Sequence, residues 1–228
     1  MKTILVIVAK EPVPGKVKTR LLPHLTASQA SELYRLFIHD MIDEMSLLSE
    51  NTLAVAYAPK NAEKTFKKML PHPIRLFPQQ GADLGERLTN VFERMFDEGY
   101  EQVHIINSDS PDLPHRIIKR AIELLKEPRR SIVLGPCFDG GYYLVGLSRP
   151  IPELFVEIPW STSLVLKKTI ERAHHLGFRC DLLDPWYDID THDDILQFLA
   201  RNEKKSDDNC RPGCRTLRHI RAVITEEL

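Results

Sequence analysis

Short apolar runs alternate along the chain with longer segments whose apolar residues recur every three or four positions. The first run, Thr3–Ala9, is rich in β-branched residues and too short for a core helix, so it predicts a strand buried on both faces. Ala27–Leu48 has the spacing of an amphipathic helix. The same two patterns predict further strands at Leu53–Ala58, Ile74–Phe77, Val103–Ile106, Ser131–Gly135, Tyr142–Leu147 and Phe178–Leu183, and further helices at Ala62–Leu70, Glu86–Phe96, Arg116–Leu125, Leu164–Leu176 and Ile195–Ala200.

This alternation of strands and helices predicts an α/β protein with a largely parallel sheet that helices cover on both faces. The tight turn Asp139–Gly141 separates two predicted strands and indicates a hairpin within the sheet. The length of 228 residues suits one domain, which we place at residues 1–202. Residues 203–228 are mostly polar and predict a C-terminal tail, with a short helix expected at Leu217–Val223.

Composition and charge exclude several classes of protein. Hydrophobic residues make up 43% of the chain and charged residues 28%, which is typical of a globular protein in water. The formal net charge of -1 provides no global field for nucleic acid or an acidic membrane, so any anion site must be local. No apolar run approaches the roughly 20 residues that cross a bilayer, and the start lacks the features of a signal peptide, so we expect a cytoplasmic protein. The oligomeric state is left open.

A basic loop, Lys10–Arg20, follows the first predicted strand. Ligands of parallel α/β sheets bind beyond the carboxyl ends of the strands, so this loop lies where an anion would bind. Gly15 allows close backbone approach, and lysine and arginine are common phosphate ligands. The loop matches neither a Walker A motif nor a dinucleotide-binding glycine motif. The alternative is a solvated basic loop. Its basic residues are Lys10, Lys16, Lys18 and Arg20.

Three acidic turns follow predicted strands and are expected at one edge of the sheet. Asp109 follows Val103–Ile106, Asp139 lies in a glycine-flanked turn, and Asp188 and Asp190 precede the last predicted helix. Carboxylates combined with substrate phosphates and water are suitable ligands for Mg²⁺ or Mn²⁺. The alternative for each aspartate is a local turn contact with backbone N–H groups.

Two further segments allow both a functional and a structural interpretation. Gly81 and Gly85 permit unusual backbone angles, and Arg87 is able to reach a phosphate or a base; alternatively, the segment is a helix N-terminus with acidic residues in its first turn. Trp160 either stacks on an acceptor or fills the core.

Six segments in a defined order resemble the DUF2064 family of small bacterial transferases. This family lies within the glycosyltransferase-A, or nucleotide-diphospho-sugar transferase, superfamily, and some members are labelled arsenosugar-biosynthesis glycosyltransferases. No segment is diagnostic alone, whereas their combination is specific. The segments are Ala9–Leu21, Gly81–Leu88, Ser108–Pro114, Gly135–Leu147, Pro159–Thr162 and Asp188–Ile195.

The resemblance implies a Rossmann-like three-layer sandwich with a mostly parallel mixed sheet and a nucleotide at its carboxyl edge. It implies catalytic roles for Lys18, Arg20 and Asp109, with Asp109 and Asp190 holding Mg²⁺ or Mn²⁺. The acceptor side would be formed by Asp139, Gly140, Gly141 and Trp160. The nucleotide-binding residues would be Ala9, Lys10, Gly15, Lys16, Lys18, Arg20, Gly85, Arg87 and Ser108.

Three functions remain open from the sequence. The family resemblance favours a glycosyltransferase that uses a nucleoside-diphosphate sugar and a small-molecule acceptor. The density of lysine and arginine in the basic loop favours a nucleotidyltransferase that moves a nucleotide from CTP or GTP to a phosphorylated or phosphonate acceptor. A non-catalytic nucleotide-binding module is the third, and the three acidic turns argue against it because binding alone needs no metal cluster.

Overall fold

The computed structural model describes residues 1–49, 51–70, 74–127, 132–203 and 212–225. The strands in these ranges are β1 (Thr3–Lys10), β2 (Thr52–Ala58), β3 (Arg75–Pro78), β4 (Gln102–Ile106), β5 (Ile132–Pro136), β6 (Tyr142–Leu147) and β7 (Cys180–Leu182). The helices are α1 (Ala27–Met45), α2 (Glu63–Met69), α3 (Leu84–Asp97), α4 (His115–Leu124), α5 (Val165–His175), α6 (His192–Asn202) and α7 (Cys214–Thr225). Short 3-10 helices occupy Thr19–Leu21 and Pro152–Phe155.

All seven strands join one sheet in the order β3-β2-β1-β4-β6-β5-β7. Strand β6 runs antiparallel to both β4 and β5, and the other neighbouring pairs are parallel. The predicted mostly parallel mixed sheet is therefore confirmed, and so is the predicted hairpin between β5 and β6. Because β5 and β4 point in the same direction, the hairpin turn lies at the same edge of the sheet as the end of β4.

Helices cover both faces of the sheet and form two separate apolar clusters. The alternation along β1 shows this division, since Leu5 and Ile7 face the cluster that contains α1, α4 and α6. Ile4 and Val6 face the opposite cluster, which contains α3 and part of α5. These four side chains are at most 1% exposed, which explains why β1 has no polar face. The predicted three-layer arrangement is confirmed.

Helix α7 packs against α1, far from it in sequence. The Asp40 carboxylate on α1 accepts hydrogen bonds from the backbone N–H groups of Arg215 (3.2 Å) and Thr216 (2.9 Å) in the first turn of α7. Leu217 and Ile220 are buried against the same cluster as α1. Residues 204–211 and 226–228 of the predicted tail lie outside the described residues, and the division at residue 202 stays a prediction. No helix within the described ranges is long and apolar enough to span a bilayer.

Candidate functional site

A cavity of about 390 Å³ opens where β1 and β4 end, at the carboxyl edge of the sheet. Its walls come from the basic loop, the ends of both strands, the start of α3 and the segment before α6. The structure thus brings together residues that are far apart in sequence, as expected for a parallel sheet. Of the predicted site residues, the cavity is lined by Ala9, Lys10, Lys16, Lys18, Arg20, Arg87, Ser108, Asp109 and Asp190.

Lys18 lies at the centre of the cavity, where its ammonium group contacts two carboxylates. Its Nζ lies 2.5 Å from Oδ1 of Asp109 and 2.8 Å from Oδ1 of Asp190, and it also donates a hydrogen bond to the carbonyl oxygen of Ile189 at 2.7 Å. The side chain is only 4% exposed. Its ammonium group also lies 5.2 Å from the centre of the Phe37 ring, a favourable cation–π distance.

The two carboxylates keep this buried lysine charged. Burial alone would lower the pKa of Lys18, but the charges and hydrogen bonds of Asp109 and Asp190 outweigh it and raise the pKa above its ordinary value. In the same way, burial raises the pKa of Asp190, but the charge of Lys18 outweighs it and the net pKa is lowered. Lys18 and Asp190 are therefore both charged at neutral pH, and the Lys18 ammonium contacts Asp109 as well.

Asp188 lies beside this cluster in a different environment. Its Oδ1 accepts hydrogen bonds from Nδ2 of Asn107 at 2.9 Å and from the Ser110 hydroxyl at 2.7 Å. Burial, together with the nearby charge of Asp109, raises the pKa of Asp188 to about 6. The Asn107 side chain also accepts the backbone N–H of Asp109 at 3.2 Å, so Asn107 links the two acidic turns.

Tyr34 is a site residue that the sequence interpretation missed. Its hydroxyl accepts the backbone N–H of Lys10 at 3.0 Å and shares a hydrogen bond with the Ser108 hydroxyl at 2.7 Å. It thereby connects the ends of β1 and β4 across the floor of the cavity. Burial and the charge of Asp109 raise the pKa of Tyr34 to about 12. Its position on α1 follows the apolar repeat, which gave no signal of a polar role.

The remaining cations of the loop surround the mouth of the cavity. Lys10 and Lys16 are exposed and make no ion pair with any residue in the described ranges. Arg20 is 74% exposed, and its guanidinium lies 3.9 Å from the Asp190 carboxylate. Three cations are thus available to an incoming anion. Gly15 has a φ of 75° in the same loop but does not line the cavity, so its predicted contact with a nucleotide stays a prediction.

The start of α3 is a capped helix N-terminus, and the contact of Arg87 with a phosphate or a base stays a prediction. Asp83 caps the helix by accepting the backbone N–H of Glu86 at 2.9 Å. Arg87 lines the cavity, and its Nε donates to the carbonyl oxygen of Gly81 at 3.1 Å. A Cβ atom at Gly81 would lie 2.7 Å from the backbone nitrogen of Arg87, so this turn requires glycine.

Gly85 faces away from the cavity that holds Lys18. A Cβ atom there would lie 2.8 Å from both the carbonyl oxygen of Phe155 and Nε1 of Trp160. This glycine therefore lets the segment that carries Trp160 approach α3 closely. Its predicted contact with a nucleotide stays a prediction.

The predicted acceptor-side residues lie apart from this cavity. The Asp139 carboxylate accepts the backbone N–H of Gly141 at 2.9 Å, and Gly140 packs tightly against the backbone of Ser163. Trp160 packs edge-to-face on Tyr142 and borders a second cavity of about 710 Å³ on the other side of the start of α3. Neither the turn nor Trp160 lines the cavity that holds Lys18.

Residues 41–162 match the model of a family described as "uncharacterized protein conserved in bacteria", DUF2064. A crystal structure from Desulfovibrio desulfuricans G20, provisionally named nucleotide-diphospho-sugar transferase, is 32% identical over 99% of this chain and 98% of that one, with a TM-score of 0.89. The chain belongs to the DUF2064 family. The family predicted from the six segments is therefore confirmed, and no protein of curated function matches the chain.

More distant structures share the fold of this DUF2064 protein. CMP:2-keto-3-deoxy-manno-octonic acid synthetase, solved with CTP, has a TM-score of 0.58 at 12% identity, covering 90% of this chain and 100% of that one. Glucosyl-3-phosphoglycerate synthase from Mycobacterium tuberculosis, solved with Mn²⁺, UDP and phosphoglyceric acid, has a TM-score of 0.53 at 14% identity, covering 88% and 75%. The fold is thus that of the nucleotide-dependent transferases, as predicted.

The predicted metal ligands of this DUF2064 protein fit a metal ion only as a partial set. Asp109 and Asp190 point their carboxylates at one position, which the ammonium of Lys18 now takes. Across the part of the chain that the structure describes, no group of three or more His, Cys, Asp or Glu side chains is arranged to hold a metal ion. Two carboxylates suit Mg²⁺ or Mn²⁺ when substrate phosphates and water supply the other ligands.

Proposed function

We propose that this DUF2064 protein is a metal-dependent glycosyltransferase that takes a sugar from a nucleoside-diphosphate sugar. The observation that carries the proposal is the convergence of Asp109 and Asp190 on one cation position, inside a cavity whose mouth holds exposed cations. This combination suits a diphosphate and a divalent metal ion together, since each neutralises part of the other. The provisional name of the 32% identical relative supports this choice of donor.

We assign the charged residues of the cavity to two roles, phosphate binding and metal binding. The exposed side chains of Lys16 and Arg20 would bind the diphosphate, and Arg87 would contact it from the start of α3. Asp109 and Asp190 would hold Mg²⁺ or Mn²⁺, and a bound ion would neutralise the charge that develops on the departing diphosphate. The Mn²⁺ and UDP in glucosyl-3-phosphoglycerate synthase, a protein of the same fold, support this division.

The floor of the cavity provides the uncharged contacts of the donor. Ala9 and Ser108 lie at the ends of β1 and β4, and the hydroxyl of Tyr34 fixes their spacing. Leu84 is 40% exposed and lines the same cavity, which gives an apolar surface for the nucleoside. We place the small-molecule acceptor on the side of Asp139–Gly141 and Trp160.

Nucleotidyl transfer from CTP or GTP to a phosphorylated or phosphonate acceptor is the second candidate. The specific observation that favours it is the number of exposed cations at the mouth, because Lys10, Lys16 and Arg20 together match the charge of a triphosphate better than that of a diphosphate. The same fold binds CTP in CMP:2-keto-3-deoxy-manno-octonic acid synthetase.

A panel of nucleotides tests both candidates. We expect the melting temperature to rise with Mn²⁺ and at least one nucleoside triphosphate or nucleotide-sugar, because a ligand that binds only the folded state stabilises it. Product analysis then separates the chemistries: glycosyl transfer releases a nucleoside diphosphate, and nucleotidyl transfer releases pyrophosphate. A melting temperature that stays constant with every member of the panel would contradict both candidates. Binding without either product would favour a nucleotide-binding module.

A further inference from the structure

Lys18 uses all of its hydrogen-bonding capacity inside the protein. An ammonium group has three N–H donors and no acceptor. Those of Lys18 are directed to Oδ1 of Asp109, Oδ1 of Asp190 and the carbonyl oxygen of Ile189, at 2.5, 2.8 and 2.7 Å. No donor is left for a phosphate oxygen. A direct contact between Lys18 and a substrate phosphate therefore requires Lys18 to release at least one of these partners.

The same ammonium group lies where a metal ion would be bound. Asp109 and Asp190 direct oxygens at a single point, and a divalent ion held by both carboxylates would need that point. Lys18 and the ion are both cations, so they would also repel each other at that distance. The two cannot share the position, and one must leave when the other enters.

The surroundings of Lys18 favour the lysine in the absence of ligand. The side chain is 4% exposed and packs against the rings of Tyr34 and Phe37, so it is held in place from several sides. Its backbone adopts a left-handed conformation with a φ of 48°, which a residue other than glycine adopts only when its surroundings hold it there.

We propose that Lys18 occupies the cation position between Asp109 and Asp190 until a nucleotide binds, and that Lys18 and the divalent metal compete for these two carboxylates. The phosphates of the nucleotide offer Lys18 new acceptors, so that it turns towards them and releases the carboxylate pair to the metal. Metal affinity is then low in the free protein and high in the nucleotide complex. This inference rests on the proposed function for the nucleotide, but the competition itself concerns only the protein and the metal.

Binding of Mn²⁺ alone tests the competition, measured by electron paramagnetic resonance of free Mn²⁺ and by calorimetry. Lys18→Met keeps an unbranched side chain that is one atom shorter and removes its charge and donors. We expect this variant to bind Mn²⁺ roughly tenfold or more tightly than the unaltered protein, as for the loss of a close competing charge. Lys16→Met is the matched control: it removes the same charge from the same loop without a carboxylate contact, and should change Mn²⁺ affinity by about twofold or less.

Equal Mn²⁺ affinity of the unaltered protein and Lys18→Met would overturn the competition, and so would an equal gain in both lysine variants. If Lys18→Met does not fold, the ¹⁵N signal of the Lys18 ammonium in the unaltered protein decides instead. Addition of Mg²⁺ should then shift or broaden that signal, and Mg²⁺ that binds without affecting it would overturn the proposal. Failure of the nucleotide panel would contradict the proposed function without altering either result.

Discussion

Two acidic turns at the same edge of the sheet behave differently. Asp109, after β4, directs its carboxylate into the cavity and shares Lys18 with Asp190. Asp139, at the tip of the β5–β6 hairpin, directs its carboxylate back to the N–H of Gly141 in its own turn. Both turns are short, acidic and close to a strand end in sequence. The difference shows that a polar turn becomes part of a site only when distant segments supply its partners.

The partners of Asp109 include the segment before α6, which passes along the same edge of the sheet. The backbone N–H of Ile189 donates to the carbonyl oxygen of Asp109 at 2.9 Å, and this bond brings the segment before α6 next to the end of β4. The hairpin turn is instead closed against the segment before α5, where Gly140 meets the backbone of Ser163. We therefore expect changes at Asp109 to alter chemistry and changes at Gly140 to alter stability.

The largest effect is expected from Asp109→Asn. Removal of this charge weakens metal binding and leaves Lys18 with one carboxylate fewer, so we expect product formation to fall by roughly a hundredfold or more, on the scale of losing one preorganised electrostatic contact. The melting temperature should stay within a few degrees. Asp97→Asn, an exposed position near the end of α3, is the matched control. Near-normal turnover by Asp109→Asn would remove Asp109 from the proposed chemistry.

A smaller effect, on stability, is expected from Gly140→Ala. The new Cβ would lie 2.1 Å from the carbonyl oxygen of Ser163, and φ is 89°, so we expect a loss of about 2–4 kcal/mol in unfolding free energy. Denaturant titration measures this loss. Gly99→Ala separates the two causes, since Gly99 has a φ of 80° with open space around it and should lose only about 1 kcal/mol. Equal losses would show that backbone angle alone matters.

The smallest effect is a pH dependence that comes from Asp188. Its pKa is about 6 in the folded protein, above the ordinary 3.8, mainly because of burial and secondarily because of the charge of Asp109. A raised acid pKa favours the protonated folded state, so this stabilisation is full below about pH 4 and is lost as the pH rises through 6. In metal-free buffer, the difference in unfolding free energy between Asp188→Asn and the unaltered protein should therefore depend on pH. Between pH 4 and pH 7.5 this difference should shift by about 1–2 kcal/mol in favour of the variant. Parallel stability curves for the two proteins would contradict this assignment.

The fold could be predicted because each layer follows from a local pattern. The run Thr3–Ala9 has no polar position, and burial on both faces is the only arrangement that hides it. The position of Lys18, Arg20, Asp109 and Asp190 around one cavity could also be predicted, since each follows or precedes a strand or helix at the carboxyl edge.

Other parts of the site had no sequence signal. Tyr34 occupies a place in the apolar repeat of α1, and only the approach of β1 and β4 gives its hydroxyl two polar neighbours. The side chain of Asn107 donates a hydrogen bond to Asp188, which is 81 residues away in the sequence. The separation of Trp160 from the cavity depends on how closely its segment packs on Gly85, and no spacing rule describes that contact.

The bonds between Asp40 and the start of α7 have a consequence for synthesis of the protein. The carboxylate on α1 accepts N–H groups from residues 175 and 176 positions later in the chain. Until the start of α7 has been translated, the Asp40 carboxylate lacks both of these backbone donors. The helix that carries Tyr34 therefore gains this packing partner only after the segment that carries Arg215 and Thr216 has been synthesised, so α1 and α7 complete this layer together.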